Sequence, residues 1–118
     1  NLNLASESHY ETEFLDLKLA IKLVSNVDDA IEHIRKYSSG HTEAILTESN
    51  EISETFAKSI DSSVIFINSS TRFTDGEMFG FGSEIGISTQ KLHVRGPMGL
   101  EALTNERYVV TGEGTVRE

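Results

Sequence analysis

The sequence has 118 residues and a formal net charge of -9, from 10 Lys and Arg against 19 Asp and Glu, which is the scale of one small domain with a single core. The acidic balance and the lack of a basic stripe argue against nucleic acid as a partner, and 37% hydrophobic residues argue against global disorder. No apolar run approaches the roughly 20 residues that span a bilayer, the opening NLNLASESHYETE is unlike a signal peptide, and the absence of cysteine excludes disulfides, Cys-ligated metals and a thiolate supplied by these residues.

A soluble, cytoplasmic chain is therefore expected, and its elements read in order as follows. Residues 1–16 form a polar lead-in. Leu17, Leu19, Ile21 and Leu23 then alternate with Lys18, Ala20, Lys22 and Val24, the period of two expected of a strand with one buried face. Ser25 or Asn26 caps a helix with Asp28 and Asp29 in its first turn, where carboxylates suit the positive end of the helix dipole. Val27, Ala30, Ile31, Ile34 and Tyr37 follow at helical spacing, Arg35 and Lys36 stand in the last turn, and Gly40 accepts a left-handed conformation beyond it.

Ala44 to Leu46 reads as a second strand. Asn50 opens a second helix with Glu51 and Glu54 early and Ile52, Phe56 and Ile60 on one face. Val64 to Ile67 is a continuous β-branched and aromatic run, the signature of a strand covered on both faces. Residues 17–67 thus predict an α/β fold, an open parallel β-α-β-α-β sheet with right-handed crossovers.

From Asn68 the texture changes to Gly, Ser and Thr, with Gly76, Gly80, Gly82, Gly86 and Gly96 in a long loop region over 68–104. Loops of that length inside a compact domain are usually functional. Pro97 is placed to start a short helix through Leu103, and RYVVT (Arg107 to Thr111) reads as a last strand within 105–118 that has no partner in the first half. No internal repeat is visible.

In open parallel sheets the ligand lies beyond the carboxyl ends of the strands, which singles out Asn68, Ser69, Ser70, Thr71, Arg72 and Phe73 after the most apolar strand. Hydroxyls, an amide and a guanidinium there suit a carboxylate or phosphate; the plainer alternative is a capped turn with Arg72 paired to a surface acid. GFGSEIG lacks the preceding strand and following helix of a phosphate-binding loop. Of the histidines, none has metal-site spacing, His33 is expected to face solvent, and His41 is either an acid/base group or a ring hydrogen-bonded to backbone. No metal is expected, and no G-x-S-x-G elbow occurs.

VSNVDDAIEHIRKYSSGHTEAI (residues 24–45), NSSTRFTDG, FGFGSEIGIST and KLHVRGPMGLEAL, in that order, resemble the C-terminal part of the γ-glutamyl phosphate reductase family, also called glutamate-5-semialdehyde dehydrogenase. The resemblance runs from Glu13 to about Thr111. Ser69 and Val94 stand where the family usually has Ala, and Ser38-Ser39 where Gly-Ser is common. The resemblance implies an aldehyde dehydrogenase-like fold. Residues 17–67 would be part of its catalytic domain, 68–104 the substrate side, and the last strand part of an oligomerisation flap. It also implies NADPH-dependent reduction of γ-glutamyl phosphate to glutamate 5-semialdehyde and phosphate in proline biosynthesis. There a cysteine thiolate attacks the acyl phosphate and hydride reduces the thioacyl intermediate.

Without cysteine, the catalytic residues are none in this chain, which is expected to be inactive alone. The family likeness assigns Asn68, Ser70, Thr71, Arg72 and Phe73 to the small-molecule substrate, with Arg72 on its carboxylate or phosphate. It assigns Glu13, in an E-x-F segment, to the nicotinamide ribose of NADPH, and FGFG to a structural turn near the oligomer contact. A homo-oligomer and glutamate 5-kinase as functional partner are also implied. The alternative is a non-catalytic small-molecule-binding or oligomerisation module of the same fold.

Overall fold

The computed structural model describes residues 2–118. Two helices and four short strands follow in the order α1 (Val27–Tyr37), β1 (Thr42–Ile45), α2 (Asn50–Ser59), β2 (Val64–Ile67), β3 (Gly86–Ser88) and β4 (Gly96–Met98). Among the described residues no helix is long and apolar enough to cross a membrane.

Local signals set both helices. The Asn26 side chain accepts from the Asp29 N–H at 2.9 Å, while the Asp29 carboxylate accepts from the Ser25 N–H at 3.2 Å. Two donors at the helix entrance, which have no partner within the helix, are thereby satisfied. Ser49 caps α2 in the same way, accepting from Ile52, so the helix proper begins at Asn50. At the other end the Arg35 guanidinium of α1 donates twice to the Ser59 carbonyl, at 2.8 and 3.1 Å. One cation so covers the exit of α2 and locks the two helix ends together.

β1 and β2 pair in parallel, Thr42 opposite Val64 through Ile45 opposite Ile67. Gly40 takes the left-handed φ of +74° ahead of β1. Ile31, Phe56 and Ile60 form the buried core, with Val27, Ile34, Ile45 and Ile65 packed around them. Ile52 does not join this face and is half exposed.

Three expected elements differ. Residues 17–24 run without a partner strand, and Leu17, Leu19 and Leu23 are almost wholly exposed. The period of two is present, but it signals a face that some sheet would cover, and no strand among the described residues lies beside it. The structure thus has a two-stranded parallel sheet in place of the expected three strands. Residues 107–111 likewise pair with no strand among the described residues, and Tyr108, Val109 and Val110 stand in the open.

Pro97 starts no helix: it is buried in β4, opposite Ile87 of β3 in a two-stranded antiparallel sheet, where every strand is an edge and a residue without an N–H is tolerated. Only Glu101–Leu103 form a single 3-10 turn. The turn between β3 and β4 is tied back to the exit of α2 by Asp61, which pairs with Lys91 and, at 3.0 Å, with Arg95. Hydrogen bonds from these two cations hold the Asp61 carboxyl below its ordinary pKa.

His33 is half-buried and not open to solvent on both faces. A 3-10 turn, Glu7–Tyr10, folds over α1 and sets the Tyr10 ring 4.8 Å from the His33 ring, edge-on, with Tyr37 4.7 Å away on α1 itself. Glu7 accepts from Lys36 at 2.9 Å and from the Tyr37 hydroxyl. The His33 Nδ1 is buried without a partner, and burial pushes the imidazole pKa below its ordinary 6.5.

Candidate functional site

The site grows from the carboxyl end of the parallel pair. The Asn68 N–H donates to the Ile45 carbonyl at 2.8 Å and so extends the ladder by one bond. There the backbone leaves the sheet, because Asn68 takes a left-handed φ of +53°, a conformation Asn tolerates better than most residues. Its side chain continues where the backbone stops. The Asn68 Oδ1 accepts from the Thr47 N–H at 2.8 Å, and its Nδ2 donates to the Thr47 carbonyl at 2.8 Å. A side-chain amide thus pairs with a peptide group as a neighbouring strand would.

Beyond this clasp, Ser70 caps a 3-10 turn, Thr71–Phe73, accepting from the Arg72 N–H at 3.2 Å. Ser70, Thr71 and Arg72 are exposed, and Phe73 shows 45% of its surface. The segment then returns along β1: the Thr74 hydroxyl lies 2.9 Å from that of Thr42, which is in turn 2.7 Å from the His41 Nδ1. The His41 ring is therefore bonded to a neighbouring hydroxyl and not to backbone. Its carbonyl receives the Ser63 hydroxyl at 2.6 Å and the Val64 N–H at 3.2 Å.

The structure thus brings Ser70, Thr71, Arg72 and Phe73 together on one exposed turn and ties the amide of Asn68, itself exposed, to the Thr47 peptide. Thr42, Thr47 and Thr74 were not singled out by spacing. The available signal was an Asn directly after a β-branched run, where side-chain bonds to backbone are common. Glu13 is exposed on an irregular stretch between the Glu7–Tyr10 turn and α1. Its carboxylate has the chemistry to receive two ribose hydroxyls, but one side chain does not make a dinucleotide site. Nor does GFGSEIG: a Cβ at Gly76 would lie 2.3 Å from the Ser83 carbonyl oxygen, so the glycine ahead of that motif serves close packing of loop on loop. Gly80, Phe81, Val94, Pro97, Gly99 and Leu100 line a separate, mostly apolar cleft of about 490 Å³. Among the described residues no three His, Asp or Glu side chains stand close enough together to hold a metal ion.

The chain superposes on the crystal structure of gamma-glutamyl phosphate reductase from Thermotoga maritima with a TM-score of 0.87 and 58% sequence identity, over 97% of this chain and 28% of that one. This chain is homologous to a segment of gamma-glutamyl phosphate reductase. The gamma-glutamyl phosphate reductase of Bacillus cereus is 59% identical over 115 residues, which is 98% of this chain and 28% of the relative. That of Kosmotoga olearia is 58% identical over 113 residues, 96% of this chain and 27% of the relative. No protein-family model matches the chain. It therefore spans little more than a quarter of the length of the reductases it matches.

Proposed function

We propose that these 118 residues act as one segment of a longer NADPH-dependent reductase that converts γ-glutamyl phosphate to glutamate 5-semialdehyde and phosphate, a step of proline biosynthesis. The observation that supports this most is the 58% identity and common fold shared with the Thermotoga reductase over nearly the whole chain. In this reading residues 17–67 belong to an aldehyde dehydrogenase-like catalytic domain, 68–104 to its substrate side, and 105–118 to a surface shared between copies in a homo-oligomer. The protein would work in the cytoplasm, next in sequence to a glutamate 5-kinase that makes the acyl phosphate.

The chemistry divides by what each residue offers. An acyl phosphate carries a phosphate at one end and, in this substrate, an α-carboxylate at the other. Arg72, exposed at the tip of its turn, presents a planar fork of donors that pairs with either group in two parallel bonds. The hydroxyls of Ser70 and Thr71 add donors beside it, and Phe73 supplies an apolar wall. The thiolate that takes the acyl group comes from outside these residues, which contain no cysteine. NADPH supplies the hydride, and Glu13 is this chain's contribution to its ribose; the rest of that site lies elsewhere.

The test runs the reaction backward, following NADP⁺ reduction with glutamate 5-semialdehyde and phosphate. The isolated 118 residues should show no turnover, and the longer polypeptide that carries them should. In the latter, Arg72→Ala should raise KM for phosphate or for the semialdehyde by roughly 10- to 100-fold, the loss expected for a charge-assisted pair. An inactive longer polypeptide that still binds glutamate would instead favour a non-catalytic binding module, and unchanged kinetics in the variant would remove Arg72 from the substrate.

A further inference from the structure

We propose that Asn68 is a positioning residue: its side-chain amide clasps the Thr47 peptide and holds the Ser70–Phe73 turn in the geometry that receives substrate, an inference that rests on the functional reading above.

Two observations at Asn68 point the same way. Its backbone takes a left-handed φ of +53°, which costs free energy for a residue with a Cβ and persists where the surroundings enforce it. The same residue makes two hydrogen bonds of 2.8 Å to the Thr47 N–H and carbonyl. The backbone bends out of β2 at the one point where the side chain can take over the ladder from it. Without the clasp, the Thr47 peptide loses both partners and the chain after Ile67 is free to continue straight.

The far end of the turn is fastened as well, by the Thr42 and Thr74 hydroxyls at 2.9 Å. The loop is thus held against β1 at both ends, and Arg72 lies between two anchors with its own side chain exposed. Holding a guanidinium near its bound position beforehand reduces the ordering cost of binding. Asn68 thereby affects affinity without touching the ligand.

Three substitutions separate this role from direct contact, measured in the longer polypeptide with phosphate, glutamate 5-semialdehyde and NADP⁺. Asn68→Gly keeps the left-handed backbone accessible but removes the clasp, and should raise KM for phosphate or semialdehyde about tenfold with kcat changed less than about threefold. Asn68→Asp still accepts from the Thr47 N–H and should fall between wild type and Asn68→Gly. Asn68→Ala, lacking both clasp and tolerance for positive φ, should be the weakest binder. Hydrogen exchange should find the Thr47 amide protected in wild type and unprotected in Asn68→Gly. Wild-type kinetics in Asn68→Gly, or an unprotected Thr47 amide in the unaltered protein, overturns the proposal. So does Asn68→Asp binding worse than Asn68→Gly, since a carboxylate facing an anionic substrate would repel it. If the unaltered polypeptide has no turnover, the functional reading and the positioning role fall together, and Thr47 protection then reports only on the clasp.

Discussion

At the scale of single residues, the clearest pH sensitivity lies where the Glu7–Tyr10 turn meets α1. Burial lowers the pKa of His33, with Lys22 and Lys36 opposing its charge and Glu7 favouring it. The unfolded chain therefore binds a proton at His33 more readily than the folded one. No stability is lost above the ordinary value of 6.5, and loss accumulates as pH falls from there toward the lowered value. Glu7 acts in the same direction lower down: hydrogen bonds from Tyr37 and Lys36 depress its pKa, so its contribution is complete above 4.5 and disappears as pH falls through the depressed value. Acidification from pH 7 to 5 should weaken the proton NMR contacts between Tyr10 and His33. His33→Phe, which keeps an aromatic ring but cannot titrate, should abolish that step, and an unchanged pH profile in the variant would refute it. Spacing along the sequence did not reveal this packing, because the turn that covers His33 has no periodicity linking it to α1.

At the scale of elements, each helix depends on a cap and on one shared core. Replacing Asn26 with Ala removes the acceptor for Asp29 and should cost about 1 kcal/mol. Phe56 is 2% exposed and central to a core of three buried residues, so Phe56→Ala should cost about 3–5 kcal/mol. Amide exchange across α1 and α2 measures both: the first should loosen the first turn of α1 alone, the second both helices together. If Phe56→Ala frayed only α2, the shared core would be wrong. The same elements show what the sequence made legible. The caps of α1, its charged turns and the continuous run Val64 to Ile67 are local and were read to within a residue. Strand β1 starts two residues before the expected Ala44 and ends one before Leu46, because Thr42 and Glu43 pair by register and not by hydropathy while Leu46 stands exposed. Leu17 to Leu23 carry the period of two, but among the described residues they form no strand and pair with none. At the site, the Thr71–Phe73 turn lies just after β2 as its place in the sequence suggests, but β2 is half-buried, with Ile67 44% exposed, and not covered on both faces as its apolar run implies. The clasp was not legible, because a side chain that mimics a peptide leaves no mark on spacing.

At the scale of the molecule, the dimensions differ from those of a free-standing domain. The chain extends 78 × 33 × 24 Å with a radius of gyration of 20.5 Å, whereas a compact chain of this length would have about 13–14 Å. Its accessible surface is 9988 Å², against about 6,300 Å² for a compact monomer of this mass. The chain superposes over 97% of its length on a part, 28%, of the larger Thermotoga chain with a TM-score of 0.87, so this open outline is that of a segment of a larger chain. The isolated chain should therefore show a broad thermal transition with little cooperativity and, by small-angle scattering, a radius of gyration of about 20 Å or more. A sharp melt with a radius near that of a compact domain would contradict this.

The uncovered row of Leu17, Leu19, Ile21 and Leu23 has a consequence for handling the chain as a separate polypeptide. Such a ribbon is a template on which identical copies can stack into fibrils, with Lys18 and Lys22 interrupting the apolar run. The two lysines act as gatekeepers within the run, Lys18 in an ion pair with Asp16 at 2.7 Å, while the net charge of -9 makes neighbouring copies repel one another. That repulsion is screened by salt within about 8 Å at physiological ionic strength. Raising the ionic strength weakens that repulsion and should favour stacking of the ribbon, which light scattering against salt concentration would read.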